Sequence, residues 1–132
     1  MKAISIWNPY AQLIARGVKT LEIRSRKTTY RGDVLICAGN GKELWQNVSP
    51  KPFAYNEEEL AELYKSCGYA LAVVTITDCR LMTPEDAKEA CCEYRDGHYA
   101  YVLTNPRPLA KPFTVCGNLG LFNVTVNPEK LL

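Results

Sequence analysis

The residues best suited to chemistry sit in one short stretch, GVKTLEIRSR, from Gly17 to Arg26. It sets a single carboxylate, Glu22, among Lys19, Arg24 and Arg26 on a segment whose apolar residues alternate as in a strand. Leu21 and Ile23 would face the core, with Thr20, Glu22 and Arg24 projecting together from the opposite face. A lysine just past a helix end, with Glu and Arg beside it, supplies donors for phosphate or carbonyl oxygens and one acceptor for an exocyclic amine. That set suits a nucleobase with its phosphate. The simpler account is an exposed strand face on which Glu22 pairs with Arg24 or Lys19 and stabilises little.

Aromatic residues near the cations favour the first account. Trp7 and Tyr10 flank a helix start at Pro9, Tyr30 lies in the basic segment, and Tyr99 and Tyr101 alternate along one strand. Rings beside cations are how single-stranded bases are held. Most such rings are core residues, so one or two of these five are expected to face solvent. The glycines of CGNLGLF serve either tight turns or close backbone approach, and the second use would bring Asn118 near a ligand. The candidate ligand-binding set is therefore Trp7, Pro9, Tyr10, Lys19, Glu22, Arg24, Arg26 and Asn118. If the protein is an enzyme, Glu22 and Lys19 are its candidate catalytic residues.

A net charge of only +2 over 132 residues says little, but its distribution says more. Arg16, Lys19, Arg24, Arg26, Lys27 and Arg31 face Glu22 alone in one segment, whereas acidic residues cluster around Glu57–Glu62 and Glu85–Asp96. Such segregation makes one positive surface able to meet an anion. The length fits one domain, and a 47% apolar, 23% charged composition is that of a globular protein. No apolar run is long enough for a membrane helix, and the N-terminus lacks a signal-peptide pattern, so a cytoplasmic protein with no membrane partner is expected.

Cys37, Cys67, Cys79, Cys91, Cys92 and Cys116 contain no C-x-x-C pair, and the lone histidine, His98, cannot complete the usual zinc patterns. They read as reduced thiols, with the vicinal Cys91 and Cys92 the pair suited to redox or soft-metal chemistry. His98 reads as a surface residue at a strand edge. Dinucleotide, P-loop, zinc-protease and hydrolase-elbow motifs are absent, and neither a cofactor nor a metal is expected.

The elements that must position these residues follow from pattern. KAISIW alternates as a half-buried strand. NPYAQLIARG carries a helix start and stop, with Asn8 as side-chain cap, Pro9 at the first helical position and Gly17 as the left-handed stop. GDVLICAG is a strand after an Arg31–Asp33 turn. The loop-like residues 41–66 read as an insertion, with a helical turn near Glu43–Gln46 and a helix capped at Asn56 that runs to about Cys67. YALAVVTITDCRLM is a central strand. Thr83-Pro84 starts an acidic helix through about Tyr94. HYAYVLTN, the proline-punctuated PRPLAKP and GNLGLFNVTV return as strands. The fold class is α+β: a small mixed β-barrel of five to six strands with short peripheral helices, one domain over 1–132.

ISIWNPYAQLIARGVKTLEIR resembles the signature of the ASCH (activating signal cointegrator homology) family in the PUA-like superfamily, whose hallmark G-x-K-x-x-E-x-R is here Gly17, Lys19, Glu22 and Arg24. YRGDVLICA, YVLTNPRPLAKP and CGNLGLFNV resemble its later blocks, whereas residues 41–66 match none. The resemblance implies a PUA-like barrel whose first helix and barrel wall form a cleft lined by the hallmark Lys, Glu and Arg, which binds RNA or nucleotides. Some bacterial members are N4-acetylcytidine amidohydrolases or ribonucleases. In the amidohydrolases a threonine nucleophile occupies the position held here by Glu22, and Thr20 is not at the matching place. Asn8 stands where the family often has Gln, and Cys116 where a basic residue often stands.

Two functions use the same residues. A binding module for single-stranded RNA, single-stranded nucleic acid or a modified nucleoside would read a base edge with Glu22, contact phosphate or carbonyl oxygens with Lys19 and Arg24, and stack on Tyr10 or Trp7. A small hydrolase would use Glu22 as general base and Lys19 to steady an oxyanion, acting on RNA or an acylated nucleoside. A protein-interaction module using the acidic segments would have no nucleic-acid affinity.

Overall fold

The computed structural model describes residues 1–39 and 56–131. Its elements are β1 (Lys2–Ile6), α1 (Tyr10–Ala15), β2 (Leu21–Arg24), β3 (Gly32–Ala38), α2 (Glu57–Ser66), β4 (Tyr69–Leu81), α3 (Ala87–Ala90), β5 (Tyr99–Thr114) and β6 (Leu121–Asn123), with single 3₁₀ turns at Pro84–Asp86 and Pro128–Leu131. The expected helical turn near Glu43–Gln46 lies outside the described residues.

The strands form a six-stranded mixed sheet in the order β2-β5-β4-β3-β1-β6, curled into a half-barrel. β1 and β3 run parallel, and every other neighbouring pair is antiparallel. β2 and β6 are the two edges and do not pair, so the curl stays open between them. This seam is where a pocket can form without breaking a ladder.

The alternation in KAISI sends Ile4 and Ile6 inward, where α1 lays Ala11, Ile14 and Ala15 against Val34, Ile36, Val74 and Ile76. The intervening residues are also covered. Ala3, Leu35, Cys37 and Val73 meet Leu109, Phe113 and Phe122 on the other face, which is why β3 reads as an unbroken apolar run. Burial pushes the Cys37 thiol up to about 11, so it behaves as a small hydrophobe. A third cluster holds Leu21, Met82, Ala90 and Ala100 under α3. Among the described residues no helix is long and apolar enough to cross a membrane.

Three local expectations need correction. Asn8 does not cap α1. Its amide nitrogen donates to the Leu63 carbonyl (3.0 Å) and to Ser66 Oγ (2.7 Å), so this fully buried side chain ties α1 to α2. The acidic helix stops at Ala90 because Cys91 turns left-handed (φ 55°), short of Tyr94. HYAYVLTN and PRPLAKP form one continuous strand, β5. Its ladder with β4 shifts register opposite Val73–Thr75 and Ala70–Ala72, and Pro106 and Pro112 fall in the irregular stretches, where a missing N–H breaks no ladder bond.

The Asn56 cap is as expected, its oxygen accepting from the Glu59 N–H at 2.8 Å. Asp86 closes the Thr83 turn by accepting from the Thr83 N–H (2.8 Å) and from both terminal nitrogens of Arg80 (2.6 and 2.8 Å). Arg80 is the larger reason, and the Thr83 N–H a lesser one, that the Asp86 carboxyl titrates far below the usual carboxylate range. A depressed folded-state value means that this contribution is complete above the unfolded carboxylate's titration near pH ~4 and is lost as pH falls through the folded value. Asp86→Asn should therefore lower stability by about 1–2 kcal/mol at pH 7, with the deficit against wild type shrinking below pH ~4. Urea unfolding at a series of pH values reads this directly.

Candidate functional site

Gly17 makes the site possible. Its φ of 78° ends α1, and the Leu13 carbonyl then accepts from both the Val18 N–H (2.9 Å) and the Lys19 N–H (3.1 Å). Past this turn Val18 points to solvent and Lys19 is buried. A Cβ on Gly17 would meet Pro106 Cγ at 3.3 Å in a backbone region that L-residues avoid. Gly17→Ala should cost about 1–2 kcal/mol in chemical denaturation.

Lys19 is only 3% exposed. Its Nζ donates to the Ala90 carbonyl, faces Glu22 Oε1 at 3.6 Å and lies 5.3 Å from the centre of the Tyr10 ring. β2 then presents Glu22 opposite Tyr101 and Arg24 opposite Tyr99. Arg24 Nε donates to Glu22 Oε2 (2.7 Å), and Arg24 Nη2 donates to the Ser5 carbonyl on β1 (3.0 Å). Arg24 thus ties β2 to β1, two strands that are not neighbours in the sheet. Glu22 Oε2 is occupied, whereas Oε1 has an ion-pair neighbour at a distance too long for a hydrogen bond and keeps acceptor capacity.

These residues line a cleft of about 380 Å³, whose walls also include Ser5, Trp7, Tyr10, Asn118, Leu119 and Gly120. Its size falls in the range of small-molecule sites, roughly 300–1,000 Å³. Trp7 is half exposed, its ring edge resting on Gly39, where an added Cβ would stand 3.1 Å from Trp7 Cδ1. Burial raises the Tyr10 phenol above its ordinary value, with Cys92 adding to the rise and Arg95 opposing it. Burial likewise raises the Cys91 and Cys92 thiols, with Lys19 the main opposing charge. None of the six cysteines is in a disulfide, and of these Cys92 lines the cleft.

Of the candidates, the cleft brings together Trp7, Tyr10, Lys19, Glu22, Arg24 and Asn118. Pro9 is buried at the start of α1, and exposed Arg26 offers its carbonyl to the Tyr101 hydroxyl (2.7 Å); neither lines the cleft. Thr20 precedes β2 and is also outside the lining, so it does not project with Glu22 and Arg24 as the alternation implied. Tyr101 is core, and Tyr30 turns its hydroxyl to the Asp33 carbonyl. Ser5 and Arg95 are lining residues that sequence reasoning did not single out, and Cys92 was singled out only as one of a vicinal thiol pair. Ser5 marks the polar face of β1, but no local signal places Cys92 or Arg95 at the cleft.

The glycine-flanked segment approaches β1 closely. A Cβ on Gly117 would lie 2.7 Å from Ser5 Oγ. Gly117→Ala should displace the Ser5 hydroxyl or the Asn118 segment and destabilise the protein by about 1 kcal/mol. Ser5→Ala in the same chain should restore most of the loss, as thermal melts of the single and double variants would show.

The model of the ASCH domain matches residues 4–113. Activating signal cointegrator 1 of Homo sapiens is 29% identical over 123 residues, and that of Mus musculus is 28% identical over 126. Each match covers 87% of this chain but 21% of the relative, so the chain spans about a fifth of those proteins. The crystal structure of ASCH from Zymomonas mobilis shares the fold, with a TM-score of 0.61 at 15% identity over 98% of this chain and 89% of that one. A point variant of the same protein superposes with a TM-score of 0.58 at 12% identity, covering 98% and 91%. On the hallmark residues, the curled sheet and the family match together, the chain belongs to the ASCH domain family.

Proposed function

We propose that this chain is a binding module for a base of single-stranded RNA or for a modified nucleoside, held in the cleft at the open seam. The ASCH family is generally an RNA-binding, PUA-like module, which supports the ligand class. The observation that carries the reading is the state of Glu22. One oxygen is fixed by Arg24 while the other faces the cleft with Lys19 beyond hydrogen-bond distance. Glu22 Oε1 accepts from an exocyclic amine, Arg24 Nη1 donates to a ring carbonyl, and Trp7 and Tyr10 supply the stacking walls.

The test is anisotropy titration of short labelled single-stranded RNAs, with calorimetric titration of nucleosides. Arg24→Ala should weaken binding by about 10- to 100-fold, the loss of a charge-assisted contact. Equal binding by wild type and Arg24→Ala would overturn the cleft assignment. Mass spectrometry of the same RNAs and of acylated nucleosides completes it. Consumption that stops in Glu22→Gln, while binding survives, would assign hydrolysis instead. No nucleic-acid affinity at all would leave the acidic segments as the interacting surface.

A further inference from the structure

The charged side chains lining the cleft are Lys19, Glu22, Arg24 and Arg95, three cations against one carboxylate. They differ in what they can still offer a ligand. Lys19 is enclosed, its Nζ given to Ala90 and its charge opposite Glu22. Arg24 has spent Nε on Glu22 and Nη2 on the Ser5 carbonyl, which leaves Nη1. Arg95 is exposed, and among the described residues its guanidinium has no hydrogen-bond or ion-pair partner. Its backbone is anchored by the His98 N–H, which donates to the Arg95 carbonyl at 3.2 Å.

Position sorts these groups by the part of a ligand they would meet. Glu22 and Arg24 line the cleft, and the acceptor and donor they have left, Oε1 and Nη1, match the edge of a base. A planar fork with all its donors free, on an exposed loop at the cleft wall, matches a phosphate, which stays hydrated on one side and follows the ribose outward. Arg95 lines the same cleft as Tyr10 and Cys92, and its charge opposes the effect of burial on both.

Resting on the cleft reading above, we propose that Arg95 is the phosphate-binding residue of this site, so that its ligand is a nucleotide or an RNA rather than a neutral nucleoside. The base is read inside and the charge is read at the mouth. Arg95 then sets which class of ligand is held, while Glu22 and Arg24 set which base.

The experiment titrates wild type, Arg95→Ala and Arg95→Lys with the four ribonucleosides, their 5′- and 3′-monophosphates, and a short single-stranded RNA. Wild type should hold at least one monophosphate, or the RNA, about tenfold or more tighter than the matching nucleoside. Arg95→Ala should abolish that preference with nucleoside affinity unchanged, and Arg95→Lys should restore part of it. Against RNA, the slope of log K on log salt should shrink by about 0.7, one phosphate contact on a single strand. The 5′ and 3′ arms separate a free nucleotide from a chain phosphate. A preference that survives Arg95→Ala, or nucleosides bound as tightly as monophosphates by wild type, would overturn the assignment and leave the cleft reading standing. If wild type bound neither these ligands nor the acylated nucleosides, both would fall. Because the Arg95 side chain supports no other described residue, an unchanged melting temperature is the control on folding.

Discussion

Glu22→Ala is expected to unfold this domain more readily than any other single change in the cleft, by about 3–5 kcal/mol and a melting-temperature drop of roughly 10–20 °C. The reason is what it leaves behind. Lys19 is 3% exposed, and its only carboxylate neighbour among the described residues is Glu22. Removing that carboxylate strands an ammonium group away from water with one carbonyl, Ala90, to receive it. Arg24 also loses the partner of its Nε and is held only through Ser5. Two further variants separate charge from packing. Glu22→Gln keeps an oxygen for one cation and should cost less. Lys19→Met with Glu22→Ala removes the stranded charge, keeps the apolar stem over Tyr10, and should recover at least half of the loss. Chemical denaturation of wild type, Glu22→Ala, Lys19→Met and the double variant closes a double-mutant cycle, with Glu22→Gln measured beside it. A Glu22→Ala variant as stable as wild type would show that the ion pair is solvated and that the hallmark glutamate serves the ligand alone.

The same residues explain how far pattern reading could go. Alternation found β1 and β2, an apolar run after a turn found β3, and Gly17 announced its own left-handed turn. Pattern reading failed where a distant partner decides the outcome. Asn8 looks like a cap beside Pro9, yet its partners are Leu63 and Ser66, which no local rule connects to it. The prolines around Pro108 read as a break, and only the shifted pairing with β4 shows that bulges absorb them. The hallmark put Lys19, Glu22 and Arg24 in one place because they are neighbours in the chain. Arg95 comes from a loop far along the sequence, and the curl of the sheet, not a motif, brings it to the cleft.

Trp7→Ala is expected to have the largest effect on binding of any change that leaves the fold intact. A stacked base contributes roughly 1–3 kcal/mol, so affinity for single-stranded RNA should fall by about 5- to 150-fold. Trp7 is 51% exposed on the cleft wall, and an exposed ring this large can be removed without opening a cavity in the core. Its orientation comes from Gly39, because the ring edge rests where any side chain would intrude. Gly39→Ala should therefore tilt the ring and weaken binding in the same direction, by less. Stacking and ion pairing part company in salt. The loss in Trp7→Ala should be the same at low and high ionic strength, because no phosphate contact is removed, whereas a cation variant changes the slope itself. Trp7→Phe should retain a large part of the affinity through its remaining π face. Equal affinities for wild type and Trp7→Ala would mean that the base does not reach this wall, and the stacking role would pass to Tyr10, whose ring is held from behind by the Lys19 ammonium.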